Sequence, residues 1–248
     1  MSWLLSFGLL AAGQVGAPPP ASAVPPVAVT ADTERMRLAV ELAEALNSEP
    51  LIRTQIAKML DETMPASFAQ NPDMASLERA YPGTIAAVID AMRPLMTDHM
   101  ISVLPAMWRD VAPEYANALT AAELRQLLAF YRGPVGVRIG AIMAQGIDYS
   151  AGLNRIIAND DATLNVSDIQ DGTRRGVARL VRDASAEDMA AMNALVTTSA
   201  GRKLPAITIA VNKRIAAWAA RPTPELDARI EKAVDAAMVA HIAKSTKP

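Results

Sequence analysis

The sequence predicts an all-α protein, a multi-helix bundle that contains an internal repeat of a helix pair. Composition is the first reason: the chain is Ala-rich, Gly-poor and only 4% aromatic. Ala loses no side-chain entropy in a helix, and the β-branched and aromatic runs that favour strands are few. Spacing is the second reason, because apolar residues recur every three or four positions between recognisable helix starts and stops. The third is a pattern that recurs 65 residues downstream, from Ser185.

A chain of 248 residues is long enough to bury a sizeable core as one or two domains. With no Cys there is no disulfide, thiolate metal site or cysteine nucleophile. A formal charge of −2 is too small for the broad electropositive surface of a nucleic-acid binder, so no nucleic-acid partner is expected.

At the amino terminus, residues 3–12 form a short apolar run, and Ala21-Ser22-Ala23 has the small-x-small form of a signal-peptidase site. The run is too short to span a bilayer, which takes about 20 residues. Residues 1–23 are therefore expected to be a signal peptide cleaved after Ala23, with an uncleaved N-terminal segment as the alternative. Residues 24–31 follow as a Pro-rich linker, extended because each ring fixes φ and removes a donor. The all-helical domain then covers residues 32–248.

Its first helix carries Met36, Ala39, Val40, Ala43 and Leu46 at helical spacing and stops at Asn47-Ser48. A second helix over residues 49–63 groups Leu51, Ile52, Ile56, Met59 and Leu60, with Pro65 expected to end it. Asn71-Pro72-Asp73 and Tyr81-Pro82-Gly83 are turn signals that bracket a short helix. Residues 84–117 read as helix interrupted by Pro94, Pro105 and Pro113. An interior Pro costs about 3 kcal/mol, which predicts two or three pieces hinged just before the prolines.

The most distinctive stretch is residues 119–143. Thr120-x-x-Glu123 fits a capping box, in which hydroxyl and carboxylate satisfy each other's free amide donors. Leu124, Leu127, Leu128 and Tyr131 make the following stripe. Gly133-Pro134 closes this helix and opens the next, since Pro at the first helical position lacks only a donor that would be free anyway. Val135, Ile139, Ile142 and Met143 form the second stripe, and Gly136, Gly140 and Ala144 a flat ridge where a neighbouring backbone can approach.

Residues 159–167 read as a polar loop containing Asp160 and Asp161 but lacking an EF-hand ligand pattern. Asn165-Val166-Ser167 has the form of a glycosylation sequon, a triplet common by chance. On a helix over residues 167–182, Arg175, Arg179 and Arg182 share one face. They form a possible site for an anion or a lipid headgroup, or a solvated face partly neutralised by nearby Asp. From Ser185 the central pattern returns: Ser185 stands for Thr120, Asp188 for Glu123, Leu195 for Phe130, Gly201 for Gly136 and Lys203 for Arg138. Each copy is a helix pair that cannot bury its apolar face alone, which favours packing of copy on copy. Thr223-Pro224-Glu225 starts the last helix, which runs to about residue 244.

Leu119-Thr120, Glu123-Leu124, Phe130-Tyr131, Pro134 and Gly136 resemble the pattern of the DUF2059 family, helical proteins exported by bacteria whose biochemical role is not established. The resemblance is close over residues 108–143. It defines a DUF2059-like core of about 108–160, with the weaker second copy at about 180–221. It implies an exported, periplasmic, bundle-like helical domain and brings no catalytic residue.

The residues themselves point the same way. G-x-S-x-G, H-E-x-x-H and the Walker and Rossmann glycine patterns are absent, and His99 and His241 are far apart in sequence. Asp98 and His99, adjacent on a helix, do not face each other. No catalytic, metal or cofactor-binding residue is assigned, and no cofactor is expected. The expected function is a non-catalytic protein-interaction module of the cell envelope with a protein partner. The alternative is a bundle that binds lipid or another apolar ligand along Met59, Met92, Met96, Met100, Met107 and Met143.

Overall fold

The computed structural model of the chain describes residues 31–158 and 165–246, and among these residues every regular element is helical. The expected signal peptide, linker residues 24–30, and Asp160 and Asp161 of the polar loop lie outside the described residues.

The chain begins with α1 (Ala31–Leu46) and α2 (Glu49–Lys58), which runs through a π-helical turn (Met59–Thr63) into α3 (Met64–Gln70). Pro65 does not end the helix, contrary to expectation. The turn before it widens instead, so that the Met64 N–H bonds the Met59 carbonyl. Continuation keeps Leu60, Met64 and Phe68, each 1% exposed and one turn apart, on the buried face. In α1 the buried stripe is Leu38, Ala39, Leu42 and Ala43 rather than one that includes Met36, which is 39% exposed. The small Ala39 and Ala43 let neighbouring helices approach.

After α4 (Pro72–Ala80), capped by Asn71 as its turn signal implies, a left-handed Gly83 (φ +94°) admits α5 (Thr84–Ala118). This is a single helix of 35 residues through Pro94, Pro105 and Pro113, not two or three pieces. The reason is the side on which the prolines sit. Pro94 and Pro105 are exposed and Pro113 is half-buried. Carbonyls freed on a solvent side are met by water as a helix curves over its core, whereas the same loss inside would leave them unpaired. The opposite side carries Val88, Met92, Leu104, Val111 and Ala112, each at most 1% exposed.

Two apolar cores share α5. One gathers Ile56, Leu60, Met64 and Phe68 with Val88, Met92, Met96, Leu104 and Met107 of α5, and is closed by Ile230 and Val234 of α12 (Pro224–Ser245). The other gathers Leu38 and Leu42 of α1 with Val111, Ala112 and Tyr115 of α5. Leu124 and Leu127 of α6 (Ala121–Tyr131) and Ile207 and Val211 of α11 (Ser199–Ala219) complete it. Trp108 packs against both, and its indole N–H donates to the Asn47 carbonyl between α1 and α2 at 3.1 Å.

The remaining helices are α7 (Pro134–Gly146), α8 (Ser150–Ala158), α9 (Val166–Asp183) and α10 (Ala186–Thr197). α8 is not among the helices that the sequence predicts, and α9 begins one residue before Ser167 because Asn165 is the cap: its side chain accepts from the Asp168 amide at 3.0 Å while Asp168 accepts from the Asn165 amide at 2.8 Å. α12 starts at the expected Pro224, but the Thr223 side chain makes no cap bond. Its hydroxyl turns to Asp227 instead.

Candidate functional site

The stretch singled out by sequence forms α6 and α7 with the Gly133-Pro134 break between them, the two axes meeting at 74°. The capping box is made as expected. The Glu123 amide donates to the Thr120 hydroxyl at 3.2 Å, and the Thr120 amide to the Glu123 carboxylate at 2.8 Å. Leu124 and Leu127 are fully buried and Leu128 nearly so. Phe130 and Tyr131 meet edge to face with ring centroids 5.2 Å apart, and burial raises the Tyr131 phenol to about 12. Gly133 is the N-cap residue of α7 without a side-chain bond, and Pro134 takes the first turn.

Gly136 is required by contact. A Cβ there would stand 2.2 Å from the Phe130 carbonyl oxygen and 2.6 Å from the Tyr131 Cα, so α7 leaves the end of α6 at a distance only Gly permits. The expected ridge divides along its length. Gly140 meets only the Leu51 side chain at ordinary contact distance, and the close approach of α7 to α9 is made by Gly146, where a Cβ would lie 2.8 Å from the Gly176 Cα. Gly172 and Gly176, spaced four apart on α9, were the available sequence signal for that approach.

Glu123 has a second task that its cap spacing does not reveal. Lys203 of α11 places its Nζ 2.8 Å from both carboxylate oxygens, and the Ser199 hydroxyl donates at 2.7 Å. Lys203 chiefly, then the Thr120 amide and Ser199, hold the carboxyl down at about 2. From the same helix pair, Arg138 of α7 donates from Nη2 to Asp188 of α10 at 2.6 Å and from Nε at 3.1 Å. Asp188 is itself the acceptor partner of its cap, Ser185, at 2.8 Å.

The arginine face of α9 is present, and each guanidinium has a carboxylate neighbour. Arg175 lies 2.6 Å from Asp148, Arg179 3.1 Å from Asp183, and Arg182 2.7 Å from Asp183. Arg179 also donates to the Gln145 side chain at 3.2 Å, so Arg175 and Arg179 tie α9 to the end of α7. Asp148, in the turn after α7, gave no sequence signal of this pairing because it is 27 residues from Arg175. Of the methionines considered for an apolar ligand, Met92, Met96 and Met107 are packed in the first core, with Met59 and Met100 against it.

For acid–base chemistry the described residues offer little. Glu123 is ionised and fully bonded. Asp227, 6% exposed, is raised by burial to about 6, with the Thr223 hydroxyl as its hydrogen-bond partner. His99 is lowered by burial and by Arg229, and its Nε2 is buried without a hydrogen-bond partner. Among the described residues no group of three or more His, Cys, Asp or Glu is arranged to hold a metal ion, and no single helix is long and apolar enough to cross a membrane. A hollow between Lys58, Met59, Thr63, Asp148 and Tyr149 has room for about one water.

Residues 105–151 match DUF2059, described as an uncharacterized protein conserved in bacteria. That span takes in α5 from Pro105 onward, all of α6 and α7, and the start of α8. No curated protein and no solved structure matches the chain.

Proposed function

From a chain whose residues 105–151 are a DUF2059 segment, we propose a protein that is exported to the bacterial periplasm after cleavage behind Ala23 and serves there as a non-catalytic protein-interaction module. The residues that make the segment distinctive are engaged internally. Thr120 and Glu123 cap α6, Glu123 also holds Lys203, Gly136 sets the helix crossing, and Arg175, Arg179 and Arg182 face carboxylates. What remains for a partner is helical surface.

The observation that carries this reading is the outer face of α9. Val177 and Val181, one turn apart, are 45% and 64% exposed, while Ile169, Gly172, Gly176 and Leu180 form a separate, buried stripe. Arg174, one turn before Val177, borders the two valines on the same side, giving an apolar stripe with a polar edge, the make-up of a surface that receives an amphipathic helix. Binding of a lipid or other apolar ligand would instead require the helices around Met92, Met96 and Met107 to part.

A photo-crosslinking residue placed at 177 or 181, in the chain expressed in its own host, tests the reading. The expected result is one defined periplasmic protein captured at both positions, with capture lost on V177D/V181D and absent from a probe at Val239. Equal capture at Val239, no capture at all, or protein from the periplasm that still begins at Met1 would contradict it. Lipid extracted in stoichiometric amount from the same material would favour the apolar-ligand alternative.

A further inference from the structure

Of the ion pairs that join the helix pair α6–α7 to the helix pair α10–α11, the two shortest are reciprocal, and Arg138 has Glu187 as a more distant second partner at 3.7 Å. Glu123, at the third position of α6, is bound by Lys203 on α11. Asp188, at the third position of α10, is bound by Arg138 on α7. Displacement by 65 residues carries Glu123 onto Asp188 and Arg138 onto Lys203. The acid of each pair therefore takes the base of the other. The helices follow the same rule, since α6 packs on α11 and α10 packs on α7. The local build is also shared. Thr120 and Ser185 each accept the amide three residues on. A Cβ on Gly136 would meet the carbonyl oxygen of Phe130 at 2.2 Å, and one on Gly201 that of Leu195 at 2.1 Å, in both cases six residues back.

A contact in which i meets j′ and j meets i′ is the signature of an isologous, two-fold interface, the kind formed by two identical partners. We propose that the DUF2059 helix pair is a self-pairing module: the face of α6–α7 that carries Glu123 and Arg138 recognises another helix pair of the same build, and in this chain α10–α11 fills the partner's place. The face is self-complementary in charge. Two copies of α6–α7 brought together about the same axis would set Glu123 of each chain against Arg138 of the other, repeating both contacts. The partner of a free DUF2059 pair is accordingly a second DUF2059 pair. This inference does not depend on the α9 stripe.

The full-length chain allows a direct test by reversing charges in the second pair alone. In D188K/K203E both contacts within the chain become repulsive, while Glu123 and Arg138 are untouched. The expected result is a doubling of mass in sedimentation velocity relative to the unaltered chain, with the dimer at least tenfold weaker once E123Q is added, a change that keeps a capping side chain. In E123K/R138E/D188K/K203E the contacts within the chain are restored with opposite sign, and the mass returns to that of the unaltered chain. If D188K/K203E loses helical circular dichroism instead of dimerising, D188N/K203Q, which removes both contacts without repulsion, is measured in its place: a dimer weakened by E123Q supports the proposal and a folded chain of unchanged mass overturns it. A folded D188K/K203E whose mass does not change, or a dimer insensitive to E123Q, also overturns it.

Discussion

Gly136 and Gly201 hold the same position in two different helix crossings, each with its Cα set against the backbone of the residues five and six places before it. An added methyl would overlap a carbonyl oxygen at 2.2 Å in one and 2.1 Å in the other, and neither oxygen belongs to a flexible side chain that can withdraw. Ala at either site must push two helices apart. G136A and G201A are each expected to destabilise by about 1–3 kcal/mol. G140A, which meets only Leu51 at 3.4 Å, is expected to be neutral or to stabilise by about 0.5–1 kcal/mol because Gly is a poor helix former. Urea unfolding of the three variants checks this ordering, and equal effects at all three positions would remove the crossing argument.

Glu78 does for α5 what its own cap residue cannot. The N-cap is Gly83, which has no side chain to offer, and the Glu78 carboxylate from α4 accepts from the Gly83 amide at 2.8 Å and the Ile85 amide at 2.9 Å. Those backbone bonds hold the Glu78 carboxyl below the usual carboxylate range. E78A is expected to destabilise by about 1–2 kcal/mol, with E78Q intermediate. Amide exchange gives a sharper reading: the first turn of α5 should lose protection while its centre keeps it.

Much of this was legible in the sequence wherever the cause was local. The Thr120–Glu123 box, the Asn71 cap and the Gly133-Pro134 break each lie within a few residues of the structure they make. The misreadings arise where burial on one side of a helix decides. Three prolines do not divide α5 because they avoid its buried face, and Pro65 does not stop a helix whose Leu60, Met64 and Phe68 continue into the core. The alignment of the two helix pairs matched Glu123 with Asp188 and Arg138 with Lys203. It contained no sign that acid and base would be exchanged between the pairs, because Glu123 and Lys203 are 80 residues apart.

Acidity should act on the fold in an unusual direction through Asp227. Burial raises its carboxyl from 3.8 to about 6, so folding takes up a proton between those values. The stability this group supplies is complete below about pH 4 and is lost as the pH rises through 6. At neutral pH the ionised carboxylate is a burden, and D227N is expected to stabilise by on the order of 2 kcal/mol there, with little effect at pH 4. Melting temperatures of the two proteins across pH 4 to 7 give the comparison, and a constant difference over that range would rule out the assignment.

If the helix pair α6–α7 is built to face a second helix pair, energetic coupling among the four charged residues must run between the pairs and not within them. Four double-mutant cycles with Gln or Asn in place of the acids and Gln in place of the bases cover every combination of acid and base. Coupling is predicted for Glu123 with Lys203 and for Asp188 with Arg138, and none for Glu123 with Arg138 or Asp188 with Lys203. Coupling confined to residues of the same helix pair, or absent from all four cycles, would contradict the account.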